Sequence, residues 1–144
     1  MPKSVLQFFT ASQKGDADAW ADAFEEHATF HDPVGTAPIE GREAIRAFVK
    51  SVIPNFDPFL GLTPTEAHSV GDSVAVSWRG AAVSLDGRSV NWSGINIYEI
   101  GDTGLIREAK AYFNRSIFEA QLQGRGDGRA PASGQRRTAG EPVT

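Results

Sequence analysis

The first half of the chain places its apolar residues at the three- and four-residue spacing of amphipathic helices. This spacing predicts three helices, at residues 4–14, 17–26 and 41–53. Ser4 stands where a capping side chain would begin the first helix, and Gly15 can end it in a left-handed conformation. Asp16 is placed to cap the second helix. Between the second and third helices, the stretch ATFHD at residues 28–32 predicts a short strand.

After residue 64 the apolar spacing changes from helical to alternating, which is the period of a strand with one buried face. The turn-rich sequences VGDS, LDGR and GDTG divide this region. The predicted strands cover about residues 64–70, 73–84, 89–100 and 105–113. Together the elements predict an α+β fold, in which three N-terminal helices pack on the concave face of a curved antiparallel sheet.

The domain organisation follows from the length and from a change in composition. The chain has 144 residues, which suits a single domain with its own core. From residue 124 the sequence GRGDGRAPASGQRRTAGEPVT has almost no large apolar residue, so its burial cannot offset the entropy lost on ordering. We therefore predict one domain at residues 1–120 and a disordered tail at residues 121–144.

Charge and composition narrow the classes of partner. The net charge of −4 argues against nucleic acid or an anionic membrane, because both select basic surfaces. No apolar run is long enough for a membrane span, and the first ten residues do not match a secretory signal, so the sequence predicts a cytoplasmic protein. There is no cysteine, and His27 and His31 lack a third ligand at a telling spacing. We predict neither a metal nor a cofactor.

The stretch HDPVGT, at residues 31–36, contains the strongest candidate for chemistry. A carboxylate that apolar groups surround loses solvation, so its pKa rises and it becomes a better proton acceptor. Pro33 disfavours helical geometry at Asp32, which fixes the direction of Asp32 at the end of the predicted strand. Asp32 is therefore either a general base at the mouth of an apolar pocket or part of an ordinary surface turn.

The sequence AFEEHATFHDPVGTAPIEGREAIRAFV, at residues 23–49, resembles the ketosteroid isomerases and the SnoaL-like polyketide cyclases of the nuclear-transport-factor-2-like superfamily. The motif DPVG and the phrase G-x-x-A-I-x-x-F carry most of this resemblance, which extends over about residues 4–120. It implies a cone-shaped, cystatin-like fold, a homodimer and an apolar small-molecule substrate. The fold hosts isomerases, cyclases, epoxide hydrolases, dehydratases and binding modules, so the reaction stays open.

The resemblance also implies roles for individual residues. In the isomerases the aspartate of DPVG is the general base, and Asp32 occupies its place. Those enzymes stabilise the enolate oxygen with a tyrosine on the first helix and a protonated carboxylic acid on a late strand. The two positions fall on Phe8, which has no hydroxyl, and on Asn96, whose amide donates a hydrogen bond at any pH. Losing one such donor typically costs about 10²- to 10³-fold in rate.

Alternation along the strand at residues 89–100 extends this prediction. If Asn96 faces the cavity, Tyr98 does too, either as a replacement hydroxyl or as a core residue. Ile95 and Ile97 then lie on the opposite face, where an apolar surface would need a partner such as a second copy. The predicted substrate-binding walls are Phe8, Trp20, Phe30, Trp78, Trp92, Ala109, Ala111 and Phe113.

Three functions remain after these observations. The leading prediction is a cofactor-free acid–base enzyme that isomerises, cyclises or dehydrates an apolar polyketide, terpenoid or steroid-like substrate, with Asp32 as the base. A second is an epoxide hydrolase or cyclase, because related polyether enzymes pair an aspartate with a second acid. Glu66 is the candidate for that acid, and an exposed strand glutamate is the alternative reading of it. The third is a non-catalytic module that binds a small molecule.

Overall fold

The computed structural model describes residues 1–124, which form four α-helices, a short 3₁₀ helix and six strands. The helical elements are α1 (Lys3–Lys14), α2 (Ala17–Asp22), α3 (Arg42–Val52), the 3₁₀ helix (Ile53–Asn55) and α4 (Arg115–Leu122). The strands are β1 (Phe24–His31), β2 (Ile39–Glu40), β3 (Phe56–Val70), β4 (Ser73–Ser84), β5 (Ser89–Ile100) and β6 (Ile106–Phe113). None of the helices in this range is long and apolar enough to cross a membrane.

The six strands form one curved, unclosed sheet in the order β2-β1-β6-β5-β4-β3, and helices cover one side of it. The α+β fold predicted from the sequence is confirmed. Four of the five strand pairings are antiparallel, whereas β1 runs parallel to β6. The alternation of apolar residues reports which face of a strand is buried and not which distant strand pairs with it. The parallel pair was therefore not visible in the sequence.

The helix ends follow the local sequence, with two differences from the prediction. Gly15 ends α1 at a φ of 64°, and the Asp16 side chain accepts a hydrogen bond from the Ala19 amide at 3.0 Å. Helix α1 begins after Pro2 rather than at a Ser4 cap. Helix α2 is shorter than predicted and ends at Asp22, because Phe24 already pairs with β6 as the first residue of β1.

The core is an aromatic cluster centred on Phe8 of α1, which is 1% exposed. Its ring centroid lies 5.3 Å from those of Phe9 and Tyr98, 5.4 Å from that of Trp20 and 5.9 Å from that of Phe30, all in edge-to-face geometry. Such pairs add to the stabilisation that burial alone provides. The cluster joins α1 and α2 to the concave face of the sheet.

Helix α4, which was not predicted, packs on β5. The Asn114 side chain caps it by accepting hydrogen bonds from the amides of Ser116 and Ile117, at 3.1 and 3.2 Å. Gln121 is buried, and its amide group makes two hydrogen bonds of 2.7 Å with the backbone N–H and C=O of Asn91 in β5. The helix passes the predicted domain boundary at residue 120. Residues 125–144 of the predicted tail lie outside the described residues.

The convex face of the sheet carries exposed apolar side chains. Ile95 of β5 and Tyr112 of β6 are neighbours across the two strands, and each is about half exposed. A second copy of the chain would cover such a surface, and the homodimer stays a prediction.

Candidate active site

The concave face of the sheet and the helices enclose a cavity of about 520 Å³, which lies in the usual range for small-molecule sites. Its walls are mostly aromatic and aliphatic. The charged, amide and hydroxyl side chains among the lining residues are Asp32, Thr36, Asn96, Arg115 and Glu119. A ligand in this cavity would therefore meet a large apolar surface and a few polar groups with defined positions.

The turn after β1 holds Asp32 at the cavity wall. The amide of Val34 donates a hydrogen bond to the carbonyl oxygen of Ala111 in β6 at 2.8 Å, which ties the turn to the sheet. The Thr36 hydroxyl and amide both donate to the carbonyl oxygen of Pro33, at 2.7 and 3.2 Å, and close the turn. With both sides of the turn fixed, the Asp32 carboxylate has a defined position against the cavity.

The surroundings of Asp32 favour its protonated form. Loss of solvation raises the pKa of Asp32 to about 7, although the nearby positive charge of Arg115 opposes this rise. Within residues 1–124 the Asp32 carboxylate accepts no hydrogen bond that would stabilise the ionised form. At neutral pH it therefore exists in both protonation states, and it is free to exchange a proton with a ligand.

Asn96 presents an amide whose orientation the protein fixes. The indole Nε1–H of Trp78 donates to Asn96 Oδ1 at 2.8 Å, and Asn96 Nδ2 donates to the Tyr98 hydroxyl oxygen at 2.8 Å. Because an indole N–H is only a donor, the oxygen of the amide must face Trp78. The amide nitrogen carries two hydrogens, and only one of them is used by Tyr98. The other remains available to a ligand in the cavity.

Two tryptophans of the cavity wall lie across from glycines on the neighbouring strand. Trp78 of β4 pairs with Gly94 of β5, and Trp92 of β5 pairs with Gly80 of β4. A Cβ atom at Gly94 would lie 2.6 Å from the Trp78 ring, and one at Gly80 would lie 2.6 Å from the Trp92 ring. The absence of a side chain at each glycine gives the opposing ring room on the sheet, so the two rings form a continuous apolar wall.

Comparison with known proteins identifies the family. The pattern described as a SnoaL-like domain matches residues 5–109. The chain belongs to the SnoaL-like domain family. It is thereby a member of the nuclear-transport-factor-2-like superfamily, as its resemblance to these proteins indicated. A search of the curated proteins found none whose sequence matches this chain.

Solved structures of the same fold include SalBIII, described as an epoxide hydrolase/cyclase-like enzyme in pyran ring formation in the polyether salinomycin. It is 24% identical, with a TM-score of 0.70 over 79% of this SnoaL-like chain and 90% of SalBIII. RV0760c from Mycobacterium tuberculosis is 20% identical, with a TM-score of 0.69 over 78% of this chain and 90% of that one. The structure of RV0760c in complex with estradiol-17beta-hemisuccinate is 21% identical in sequence, with a TM-score of 0.69 over 78% of this chain and 92% of that one. At these identities the likeness establishes the fold alone.

Glu66 lies outside the cavity, which corrects the expected pairing of two carboxylates. In a regular ladder that continues from the Pro64–Trp78 pair, Glu66 would face Val76 and point to the concave side. An extra residue at Thr65 shifts the register, so Glu66 pairs with Ser77 and points to the convex side. There its side chain is 68% exposed and hydrogen-bonds to His68 at 2.6 Å. Asp32 and Glu66 cannot contact one substrate.

Two other predicted residues lie near the cavity without lining it. Tyr98 is fully buried beside Asn96, and burial holds its pKa well above the ordinary value, so its hydroxyl stays protonated. It supports the Asn96 amide rather than facing a ligand. Ala109 is also fully buried, between Phe30 of β1 and Tyr98 of β5, and this depth corrects its assignment to the wall. The predicted wall residues that do line the cavity are Phe8, Trp20, Phe30, Trp78, Trp92, Ala111 and Phe113.

Sequence reasoning missed the part of the site that α4 provides. Arg115, Phe118, Glu119 and Leu122 all line the cavity, and the ring of Phe118 packs on that of Trp92 with centroids 4.8 Å apart. A signal was present, because Asn114 is a favourable capping residue directly before the helix. The polar, glycine-rich sequence that follows Leu122 obscured this signal.

Proposed function

We propose that this protein is an enzyme that moves a proton on an apolar polyketide, terpenoid or steroid-like substrate, with Asp32 as the general base. The observation that carries the proposal is a carboxylate with a pKa of about 7 and no hydrogen-bond partner in the described residues, at the wall of an apolar cavity. Carboxylates in this environment accept protons near neutral pH better than exposed ones do. Membership of the SnoaL-like family supports an enzymatic role.

The proposed step begins with a ketone whose oxygen accepts a hydrogen bond from Asn96 Nδ2. Asp32 removes a proton from the carbon next to the carbonyl, and the electrons of that C–H bond form the enolate. The Asn96 amide stabilises the negative charge that develops on the oxygen. Return of the proton from Asp32 to a different carbon completes an isomerisation. Attack of the enolate carbon on a second carbonyl, whose oxygen takes the proton, completes a cyclisation.

With Phe8 in its cavity, this chain is less suited to efficient steroid isomerisation than the isomerases that it resembles. The Phe8 ring lines the cavity where those enzymes carry a tyrosine, so one oxyanion donor is missing. The remaining donor favours substrates whose enolates need less stabilisation, such as the 1,3-dicarbonyl units of polyketides. We therefore rank polyketide-like diketones above simple ketosteroids.

A second candidate function is epoxide opening by an internal hydroxyl, and Glu119 favours it. This carboxylate lines the same cavity as Asp32. The hydroxyl oxygen would attack an epoxide carbon and release its proton to Glu119, while the breaking C–O bond leaves its electrons on the oxygen that Asp32 protonates. SalBIII, which shares the fold, is described as epoxide hydrolase/cyclase-like, and this supports the candidate.

The test compares the native protein with Asp32→Asn. Asp57→Asn is the matched control, because Asp57 also precedes a proline but is exposed and does not line the cavity. With a β,γ-unsaturated ketosteroid or a cyclisable diketone, followed by absorbance, we expect turnover that falls about 10²- to 10⁴-fold in Asp32→Asn. Asp57→Asn should match the native rate. Equal turnover by Asp32→Asn would reject the proposal.

A further variant distinguishes the second candidate function, epoxide opening, from proton transfer on ketones. A Glu119→Gln variant should leave proton transfer on ketones nearly unchanged, because Asp32 acts there without a second acid. It should abolish the opening of a hydroxy-epoxide substrate. Turnover of the epoxide that survives Glu119→Gln would remove Glu119 from that reaction.

A further inference from the structure

We propose that the substrate of this cavity carries a carboxylate at one end of an apolar body, and that Arg115 binds this carboxylate at the cavity mouth. The inference rests on the proposed function, since it concerns the same site. It adds a substrate class to that function: an apolar keto acid, or an acid of similar shape, rather than a neutral polyketide or steroid.

Three polar side chains of the cavity wall differ in how far they are exposed to solvent. Asn96 is 1% exposed and marks the buried end. Arg115 and Glu119 line the same cavity, and their side chains are 57% and 46% exposed, so they mark the end that meets solvent. Aromatic side chains, among them Trp78, Trp92 and Phe113, line the cavity together with these polar groups. A ligand that fits this order has a carbonyl inside, an apolar middle and a polar outer end.

Arg115 is the only cationic side chain among the cavity-lining residues in the described part of the chain. Its guanidinium is close enough to Asp32 to oppose the rise in the Asp32 pKa that burial causes. The guanidinium therefore brings one positive charge to the solvent-facing end of the cavity, where it lies beside the carboxylate of Glu119. An anionic group is the chemistry that this charge selects.

The local structure of α4 does not favour an arginine at position 115. Arg115 is the first residue of α4, where the partial positive charge of the helix disfavours a cation. It pairs with Glu119 four residues later, and this order is less favourable than a glutamate that precedes a basic residue. Exposed pairs of this kind contribute little to stability. An arginine at this position thus gains little from its own helix, which is consistent with a role in binding.

The Arg115 guanidinium has N–H donors that its contact with Glu119 does not use. Arg115 Nε donates to Glu119 Oε2 at 2.8 Å, while its two terminal nitrogens make no hydrogen bond within residues 1–124. Two parallel N–H groups match the two oxygens of a carboxylate. Glu119 holds the guanidinium from one side and also competes with an incoming anion for it. The two residues should therefore affect the binding of an anion in opposite directions.

The experiment uses a matched pair of probes, estradiol-17β-hemisuccinate and its methyl ester, in which one added methyl group removes the negative charge of the carboxylate. Their dissociation constants are measured by titration calorimetry at pH 8 and low salt. The native protein should bind the acid about tenfold more tightly than the ester, as one partly exposed charge-assisted hydrogen-bond pair would provide. Arg115→Gln should abolish this preference, and the variant should still bind the ester, which shows that the cavity is intact.

Two further variants complete the design. Glu119→Gln should increase the preference for the acid, because it removes the competing carboxylate. Arg79→Gln is the control, since Arg79 is exposed on β4 and does not line the cavity, and it should leave the preference unchanged. Equal affinities for acid and ester in the native protein, or a preference that survives Arg115→Gln, would overturn the inference alone. Failure of the native protein to bind either probe would instead reject the apolar site itself.

Discussion

Asp32 lies in the turn after β1 and Glu66 lies on β3 of the same sheet, and the surroundings of the two carboxylates differ in every respect that matters for proton transfer. Asp32 lies against an apolar cavity, has no hydrogen-bond partner in the described residues and has a pKa raised to about 7. Glu66 lies on the opposite face, is mostly exposed and contacts His68. The comparison shows that burial and the face of the sheet, rather than residue type, select the candidate base.

The difference arises from a single inserted residue. The bulge at Thr65 turns Glu66 from the concave to the convex face, while β1 delivers Asp32 to the cavity without such a shift at its end. A one-residue change in register moves every following side chain to the other side of a strand. The site thus depends on register as much as on composition.

The largest expected contrast between the two carboxylates is in stability. The pKa of Asp32 is about 7 in the folded chain, against 3.8 as its ordinary value. Well below pH 3.8 both states keep the proton and ionisation has no effect. As pH rises to 7 the unfolded chain loses the proton first, so the folded state loses stability, by about 4 kcal/mol in total.

Asp32→Asn removes this ionisation. We expect the variant to be more stable than the native protein at pH 8, by an amount that shrinks towards pH 4, in urea unfolding monitored by circular dichroism. Glu66→Gln should change the free energy of unfolding by less than about 0.5 kcal/mol at either pH, as surface substitutions usually do. If Asp32→Asn destabilised the protein equally at both pH values, the buried-base account would be wrong.

Side chains on the two faces of the sheet extend the contrast to the reaction rate. Asn96→Ala removes the proposed oxyanion donor from the cavity wall, and we expect kcat to fall about 10²- to 10³-fold, the usual effect of losing one such donor. His68→Ala removes the partner of Glu66 and should leave kcat within about twofold, because His68 is exposed on the convex side. Steady-state kinetics with the diketone or ketosteroid substrate measure both. Comparable losses in the two variants would contradict the assignment of the cavity.

A smaller effect on the reaction rate is expected from introducing a hydroxyl at the cavity wall. Phe8→Tyr places a second donor where the isomerases carry one, and we expect ketosteroid isomerisation to rise about tenfold. A full oxyanion donor is worth about 10²- to 10³-fold, but the Phe8 ring is packed edge-on against several aromatic neighbours, which restricts the new hydroxyl. Tyr112→Phe, on the convex face, is the control and should have no effect. A loss of activity in Phe8→Tyr would show that the cluster does not admit the hydroxyl.

The sequence predicted most of the elements, because their apolar spacing is local. Helix α3 and strands β4 and β5 were predicted to within a residue or two, and the DPVG motif pointed to Asp32, which lines the cavity. Strand β3 starts eight residues earlier than predicted, at Phe56, since its first half lacks regular alternation. The bulge at Thr65 has no sequence signature that separates it from a regular strand.

The candidate site was less predictable than the fold. Which side chains share a cavity depends on register, on the parallel β1–β6 pair and on a helix that follows the last strand. Helix α4 brings Arg115 and Glu119 to the cavity through the Gln121 contact with Asn91, a long-range interaction that apolar periodicity does not encode. The cavity residues that the sequence predicted belong to a recognisable motif or alternate regularly along a strand. The residues that it missed reach the cavity only through tertiary contacts.

The pKa of Asp32 is the quantity on which the account depends most directly. Carbon-13 NMR of the carboxyl carbons, in protein labelled at aspartate, measures it without a substrate, and the signal is assigned by its absence in Asp32→Asn. The account predicts a titration midpoint of about 7. A midpoint near 4, the ordinary value for an aspartate, would mean that Asp32 is solvated and that the cavity has no base of the proposed kind.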